Sequence, residues 1–315
     1  MVRSPGVAAV ADLESATCSN GAPSARNLLV TVFGDALLPY GAATTITVRA
    51  LAELIAPFGC NERLVRTSLT RLVKEDLLAA VNVNRRSLYG VAETSLELFA
   101  SADRRIYVGG DAGWDGLWTL VVIDGSEATS HRRARLRQEL AWAGFGNVGP
   151  NVMASPVAGA DLAAHVVEHV GGFRNVLVSR SSVFESSATL GADELAHRVA
   201  ELDEVADGYA RFVQRFERFD GVTLDSLEPR MAFKLRTLLV ATFRRVALAD
   251  PQLPAALLRE GWIGNRARAL AGDVYRAVAD RAEGFLVSVA EPRLTPMTSR
   301  RDRFASGARI STLDG

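Results

Sequence analysis

Arginine and threonine recur at helical spacing in NERLVRTSLTRLVKEDLL, residues 61–78. At about 100° per residue, a helix would gather Arg63, Arg66, Thr67, Thr70 and Lys74 on one face. Leu64, Val65, Leu69, Leu72 and Val73 would spread over the other. Arginine offers a rigid fork of donors that matches guanine or a phosphate bidentately, and Arg71 extends the set. Threonine donates, accepts, and presents a methyl that can touch thymine. Asn61 stands where an N-cap would start the helix, and a helix start can reach a phosphate. Glu62 is placed to orient an arginine or to accept from cytosine. Arg85 and Arg86 follow at the tip of an expected hairpin, where a basic side chain meets DNA backbone or minor groove. The competing reading of such a helix is an ordinary solvated face. The turn before it and the basic tip after it favour the DNA reading.

Other constellations point elsewhere. HVVEH (165–169) matches the inverted zinc-peptidase pattern, with His165 and His169 one turn apart and Glu168 as base. A third ligand would come from Glu194 or Glu201. The alternative is a short helix with Leu162, Val166 and Val170 buried and its histidines wet. SHRRARLRQ (130–138) is the densest basic run. It reads as a solvated face or as a clamp for the phosphates of a coenzyme A ligand through Arg133 and Arg137. Arg230, Lys234 and Arg244 offer a second clamp. Trp114, Trp118, Trp142 and Trp262 would line an aryl slot or pack in cores. No G-x-S-x-G and no phosphate-cradling glycine loop occurs. No catalytic residue, metal site or cofactor is therefore expected.

The elements that would carry these residues fall in order. Residues 1–25 read as a disordered leader. NLLVTVFGDALL is helical to the PYG turn, TTIT is a short strand, and VRALAELIA is a helix ending near Pro57 and Gly59. The charged helix comes next, and then the hairpin LLAAVNV/SLYGV. Helix, strand, helix, turn, helix, hairpin is a winged helix-turn-helix, over 26–110. Beyond a Gly/Asp-rich joint, LWTLVVI, a helix, FGNV/NVMAS, DLAAHVVEHV and NVLVSR give a βαββαβ, ferredoxin-like plan over 111–191. Helices at 192–219, 229–249 and 265–288 make an all-helical part over 192–292, and 293–315 reads as a flexible tail. The fold class is α+β and multidomain.

A chain of 315 residues with zero formal net charge must hold any nucleic-acid affinity in a local patch. Two cysteines, Cys18 and Cys60, give neither a disulfide framework nor metal spacing. No apolar run approaches the roughly 20 residues that span a bilayer, and VAAVADL is too short for a signal peptide. A cytoplasmic protein that does not contact membrane is expected.

Several motifs in sequence carry a family resemblance: LLVTVFGD, APFGCNERLVRTSLTRLVKEDLL, RRSLY, WDGLWTLVVI, LRQELAWAGFGNVGPNVMASP, and DPQLPAALL with GWIG after it. Across residues 26 to 290 the chain resembles the PaaX-type transcriptional repressors of phenylacetate catabolism. It departs at Asn84, where glycine is expected, and at Leu88 and Val91. The resemblance implies a homodimer that binds operator double-stranded DNA and is released by an aryl-CoA thioester such as phenylacetyl-CoA. Two other readings are a metal-dependent hydrolase on the His165–His169 helix, and a thioester-binding regulator acting through a protein partner.

Overall fold

The structure is a computed structural model that describes residues 23–83, 86–109, 114–124, 129–182, 191–200, 202–219, 224, 226–295 and 303–304. Leader residues 1–22 lie outside that set, as do most of 296–315. The chain forms two compact units. One comprises Met1–Gly109, Tyr209–Leu248 and Ile263–Gly315, the other Gly110–Gly208 and Ala249–Trp262.

In the first unit, α1 (Ala25–Thr31) starts at Ser24, whose hydroxyl accepts from Asn27 N. It widens into a π turn at Val32–Leu37, where Leu38 N reaches back five residues to Phe33 O. Strand β1 (Ile46–Thr47) leads into α2 (Val48–Ile55), with the Thr47 hydroxyl accepting from Ala50 N as the cap. Gly59, at φ +75°, makes the turn into α3 (Glu62–Lys74). Hairpin strands β2 (Leu78–Val83) and β3 (Arg86–Val91) follow, and the sheet order is β1-β3-β2, antiparallel throughout. Gly90 is required there, because a Cβ would stand 2.9 Å from the Thr44 carbonyl oxygen. Helix α4 (Leu96–Asp103) closes this segment.

In the second unit, β4 (Trp118–Ile123), α5 (Ser130–Trp142), β5 (Gly146–Gly149), β6 (Val152–Ser155), α6 (Ala160–Val170) and β7 (Val176–Ser181) run in the expected βαββαβ order. The strands lie β5-β6-β4-β7, all antiparallel. Strand alternation divides the core between the two faces of the sheet. Val121, Ile123 and Met153 pack with Leu136 and Leu140 of α5 and Ala163 of α6. Trp118 and Ala154 face the other way, onto Leu195 and Ala196 of α7 (Ala192–Ala200) and onto Leu253 and Leu257.

The long C-terminal helices cluster largely with the N-terminal elements. Helix α8 (Leu202–Phe216) from Tyr209, α9 (Pro229–Ala249) up to Leu248 and α10 (Ile263–Val289) all belong to the first unit, with α1 to α4. The cause is visible in α9, which is buried without a break from Ala232 to Ala241 and is therefore a core helix rather than an amphipathic surface one. The loose tail is corrected at one point. Arg303 is buried, with its guanidinium on Asp35 and Asp103. No helix among the described residues is long and apolar enough to cross a membrane.

Candidate nucleic-acid interface

Helix α3 is held from behind and capped in front. Val65, Leu69 and Leu72 are fully buried, and the Asn61 Oδ1 accepts from Leu64 N at 2.9 Å. The apolar face is narrower than the sequence suggests. Leu64 is 45% exposed, while Ser68 takes a buried position. Leu64 lies about 100° around the helix from Val65, on the flank of the buried stripe, so it meets solvent instead.

The opposite face presents the residues expected of it. Glu62, Arg63, Arg66, Thr67, Thr70, Arg71 and Lys74 are all exposed, as is Asn61. Glu62 orients Arg66 across one turn, accepting from Nε at 3.0 Å and also from Nη2. Thr67 Oγ1 donates to Arg63 O and Thr70 Oγ1 to Arg66 O, each at 3.0 Å. Those bonds use the hydroxyl protons and leave the lone pairs and methyls outward. The C-terminal end of α3 is tied down by Arg26 of α1, which reaches Glu75 at 2.5 Å. The hydrogen bond from Arg26 holds the Glu75 carboxyl below its ordinary value.

Arg86 is exposed at the start of β3, and its guanidinium pairs with Glu291, just past α10. Glu291 also receives the Thr47 amide on its backbone oxygen at 2.8 Å. The hairpin's basic end is thus joined to the C-terminal helix within the unit, a contact that no local sequence signal announces. Arg85 lies outside the described residues.

The second set of candidates separates. Arg133 and Arg137 of α5 line one shallow pocket of about 210 Å³ with Pro150 and Asn151. Arg137 donates to Pro150 O and, at 2.5 Å, to Asn147 Oδ1. Arg230 and Lys234 do not form the expected shared clamp. Arg230 is exposed, whereas Lys234 is buried in the core face of α9, its ammonium 5.7 Å from the Phe58 ring centroid. The tryptophans also part company. Trp118 is core and packs edge-on against Trp114 at 6.3 Å, while Trp142 is 80% exposed, against the expectation of packing. On α6, Ala163 is the buried residue and Leu162 is exposed; His165, Glu168 and His169 are exposed too. Among the described residues, no three His, Cys, Asp or Glu side chains come together in a metal-binding group.

The sequence reading also missed a buried charge cluster beneath α1. Asp35, in the π turn, accepts from Arg236 Nε at 2.7 Å, Arg303 Nη1 at 2.9 Å, Tyr107 OH at 2.6 Å and Tyr275 OH at 3.1 Å. Its backbone oxygen accepts from both arginines. A π turn loosens the normal carbonyl pairing, and the guanidiniums satisfy the oxygen so freed. Arg236 also reaches Glu283 of α10 at 3.4 Å. The available signal was an acid and an arginine inside apolar runs, VFGDALL and FKLRTLLV.

Known proteins share this chain's sequence and fold. Residues 24–95 match the PaaX-like protein family, 111–193 the PaaX protein central Cas2-like domain, and 201–288 the PaaX-like protein C-terminal domain. Transcriptional repressor PaaX of Escherichia coli (strain K12) is 33% identical over 274 residues, covering 85% of this chain and 84% of that protein. The solved structure of the uncharacterized protein Rv0674 from Mycobacterium tuberculosis superposes with a TM-score of 0.54 at 22% identity. It covers 84% of this chain and 99% of that one, a likeness of fold. These matches define the class as transcriptional repressors rather than enzymes. The chain belongs to the PaaX family. Membership leaves His165, Glu168 and His169 without a catalytic role.

Proposed function

We propose that this protein is a DNA-binding repressor of an aromatic-compound catabolic operon of the phenylacetate type, acting as a homodimer in the cytoplasm. Its head would be a winged helix-turn-helix, with α3 in the major groove and the β2–β3 hairpin, through Arg85 and Arg86, on the neighbouring backbone. The observation that carries this is α3 itself. A helix with Val65, Leu69 and Leu72 wholly buried exposes Arg63, Arg66, Thr67, Thr70, Arg71 and Lys74 together. Two such helices in a dimer would meet half-sites about 34 Å apart or a multiple of that.

Release would come from an aryl-CoA thioester, phenylacetyl-CoA first among them, which favours a dimer geometry that no longer matches the half-sites. Arg133 and Arg137 support a phosphate-gripping role by lining one pocket on α5. By linkage, DNA would weaken effector binding by the same factor. The test titrates phenylacetyl-CoA, benzoyl-CoA and the matching free acids into a labelled operator complex at fixed salt. The thioester should release DNA and the acid should not. The Arg133→Ala/Arg137→Ala variant should need more effector while keeping operator affinity. Release by an acid with every thioester inert would contradict the effector assignment.

A further inference from the structure

A second cavity lies in the first unit, between α1, α4 and α9. It has a volume of about 210 Å³, and its apolar walls include Val30, Phe99, Ile106 and Val240. Leu98 and Leu248, also on its lining, are 59% and 37% exposed, so apolar surface continues to the mouth. An apolar cavity of about 150 Å³ accommodates benzene. This one is large enough for a single ring or a short alkyl chain with one polar group, and far too small for a coenzyme A.

The acids in its walls are already paired, and one of its cations is not. Two acids face the cavity, Asp35 and Asp103, and both are already engaged, Asp35 by Arg236 and Arg303 and Asp103 by Arg303. Tyr107 gives its proton to Asp35, and Thr31 gives its own to Asn27 O. Two cations remain on the lining. Arg26 is paired at its outer end with Glu75. Arg244 has no such partner: its Nε is buried without a hydrogen bond, and no acid among the described residues pairs with it. Burial, with the nearby Arg26 charge, pushes the Arg244 guanidinium below its ordinary value, as expected of a cation lacking a counterion. Leaving a buried guanidinium N–H unmatched is costly, and an anion placed in the cavity would offset that cost.

We infer that this cavity is a binding site for a compact apolar carboxylate, an aryl or alkyl acid whose carboxylate meets Arg244 and whose body fills the space among Val30, Phe99, Ile106 and Val240. The site is distinct from the α5 pocket assigned to the thioester and stands whether or not that assignment does. It adjoins the reading helix, since Leu77, the residue before β2, lines it and Arg26 holds Glu75.

The experiment measures binding to the full-length protein without DNA, by calorimetry and thermal shift. The probes are benzoate, phenylacetate and octanoate, with phenylacetamide and phenethylamine as neutral and cationic counterparts, and phenylacetyl-CoA. At least one acid should bind and raise the melting temperature, and the amide and amine should not. Arg244→Met keeps the stem packing and removes the charge. It should melt no lower than wild type without ligand and bind the acid about tenfold or more weakly, the loss expected of one charged hydrogen bond. Ala102→Leu, which narrows the cavity without touching the arginine, should weaken the acid as well. The inference is overturned if no acid binds, if the amide binds as well as the acid, or if both variants keep wild-type affinity. It is equally overturned if Arg244→Met weakens only the thioester.

Discussion

Arg236 Nε lies 2.7 Å from Asp35 Oδ2, an ion pair between α9 and the π turn after α1 in which the arginine is fully buried and the acid 4% exposed. Removing one partner of such a pair leaves the other buried and uncompensated, at a cost of about 3–5 kcal/mol. Asp35→Asn should therefore lower unfolding free energy by that order in urea titration, with the fold retained by circular dichroism. A loss under about 1 kcal/mol would show that the pair contributes little.

The same pair sets an acid limit. Burial alone would raise the Asp35 carboxyl, but Arg236 and Arg303, with the Tyr107 hydrogen bond, outweigh it and hold it at about 2. A carboxyl depressed by folding contributes stability that is whole above its unfolded value, about 4, and lost as pH falls through its folded one. Wild type should thus lose stability between about pH 4 and about 2 more steeply than Asp35→Asn. Asp103, raised by burial, has the opposite sign, so the difference between the two proteins is the quantity to follow. Parallel curves would remove Asp35 from the acid response.

Much of this architecture was legible because its signals are local. The i, i+4, i+7 spacing of Val65, Leu69 and Leu72 marks α3, Asn61 caps it as expected, and the short, nearly continuous apolar run WTLVVI marks a strand with core on both faces. What failed is long-range. Periodicity shows that VFGDALL and FKLRTLLV are buried, but not that Asp35 and Arg236, 201 positions apart, meet. Nor does it show that α9 and α10 share a compact unit with α1. Lys234 read as one member of a phosphate clamp because a wheel cannot show that α9 is covered on nearly every side. On the exposed face of α3, Glu62 lies four residues from Arg66 and their pairing was foreseeable. The pairing of Arg86 with Glu291, 205 positions away, was not.

That second pairing makes a distinct prediction for the hairpin. Arg86 should meet phosphate only after leaving Glu291, so Glu291→Gln should strengthen specific and non-specific DNA binding alike by a few-fold. Arg85→Ala/Arg86→Ala should weaken both alike and flatten the slope of log affinity against log salt by up to about two units. A change of base preference in either variant would mean that the hairpin reads sequence instead.

If α3 reads base edges in the major groove, Arg66, exposed and oriented by Glu62, is the side chain whose loss should show it first. Operator and scrambled duplexes should be titrated with wild type and Arg66→Ala at matched salt, with circular dichroism confirming that the helix persists. A bidentate contact to a base predicts a loss of about 1–3 kcal/mol on the operator, with much less lost on scrambled DNA. Operator affinity unchanged in Arg66→Ala, and likewise in Arg63→Ala and Thr70→Ala, would contradict the assignment of α3 as the reading helix.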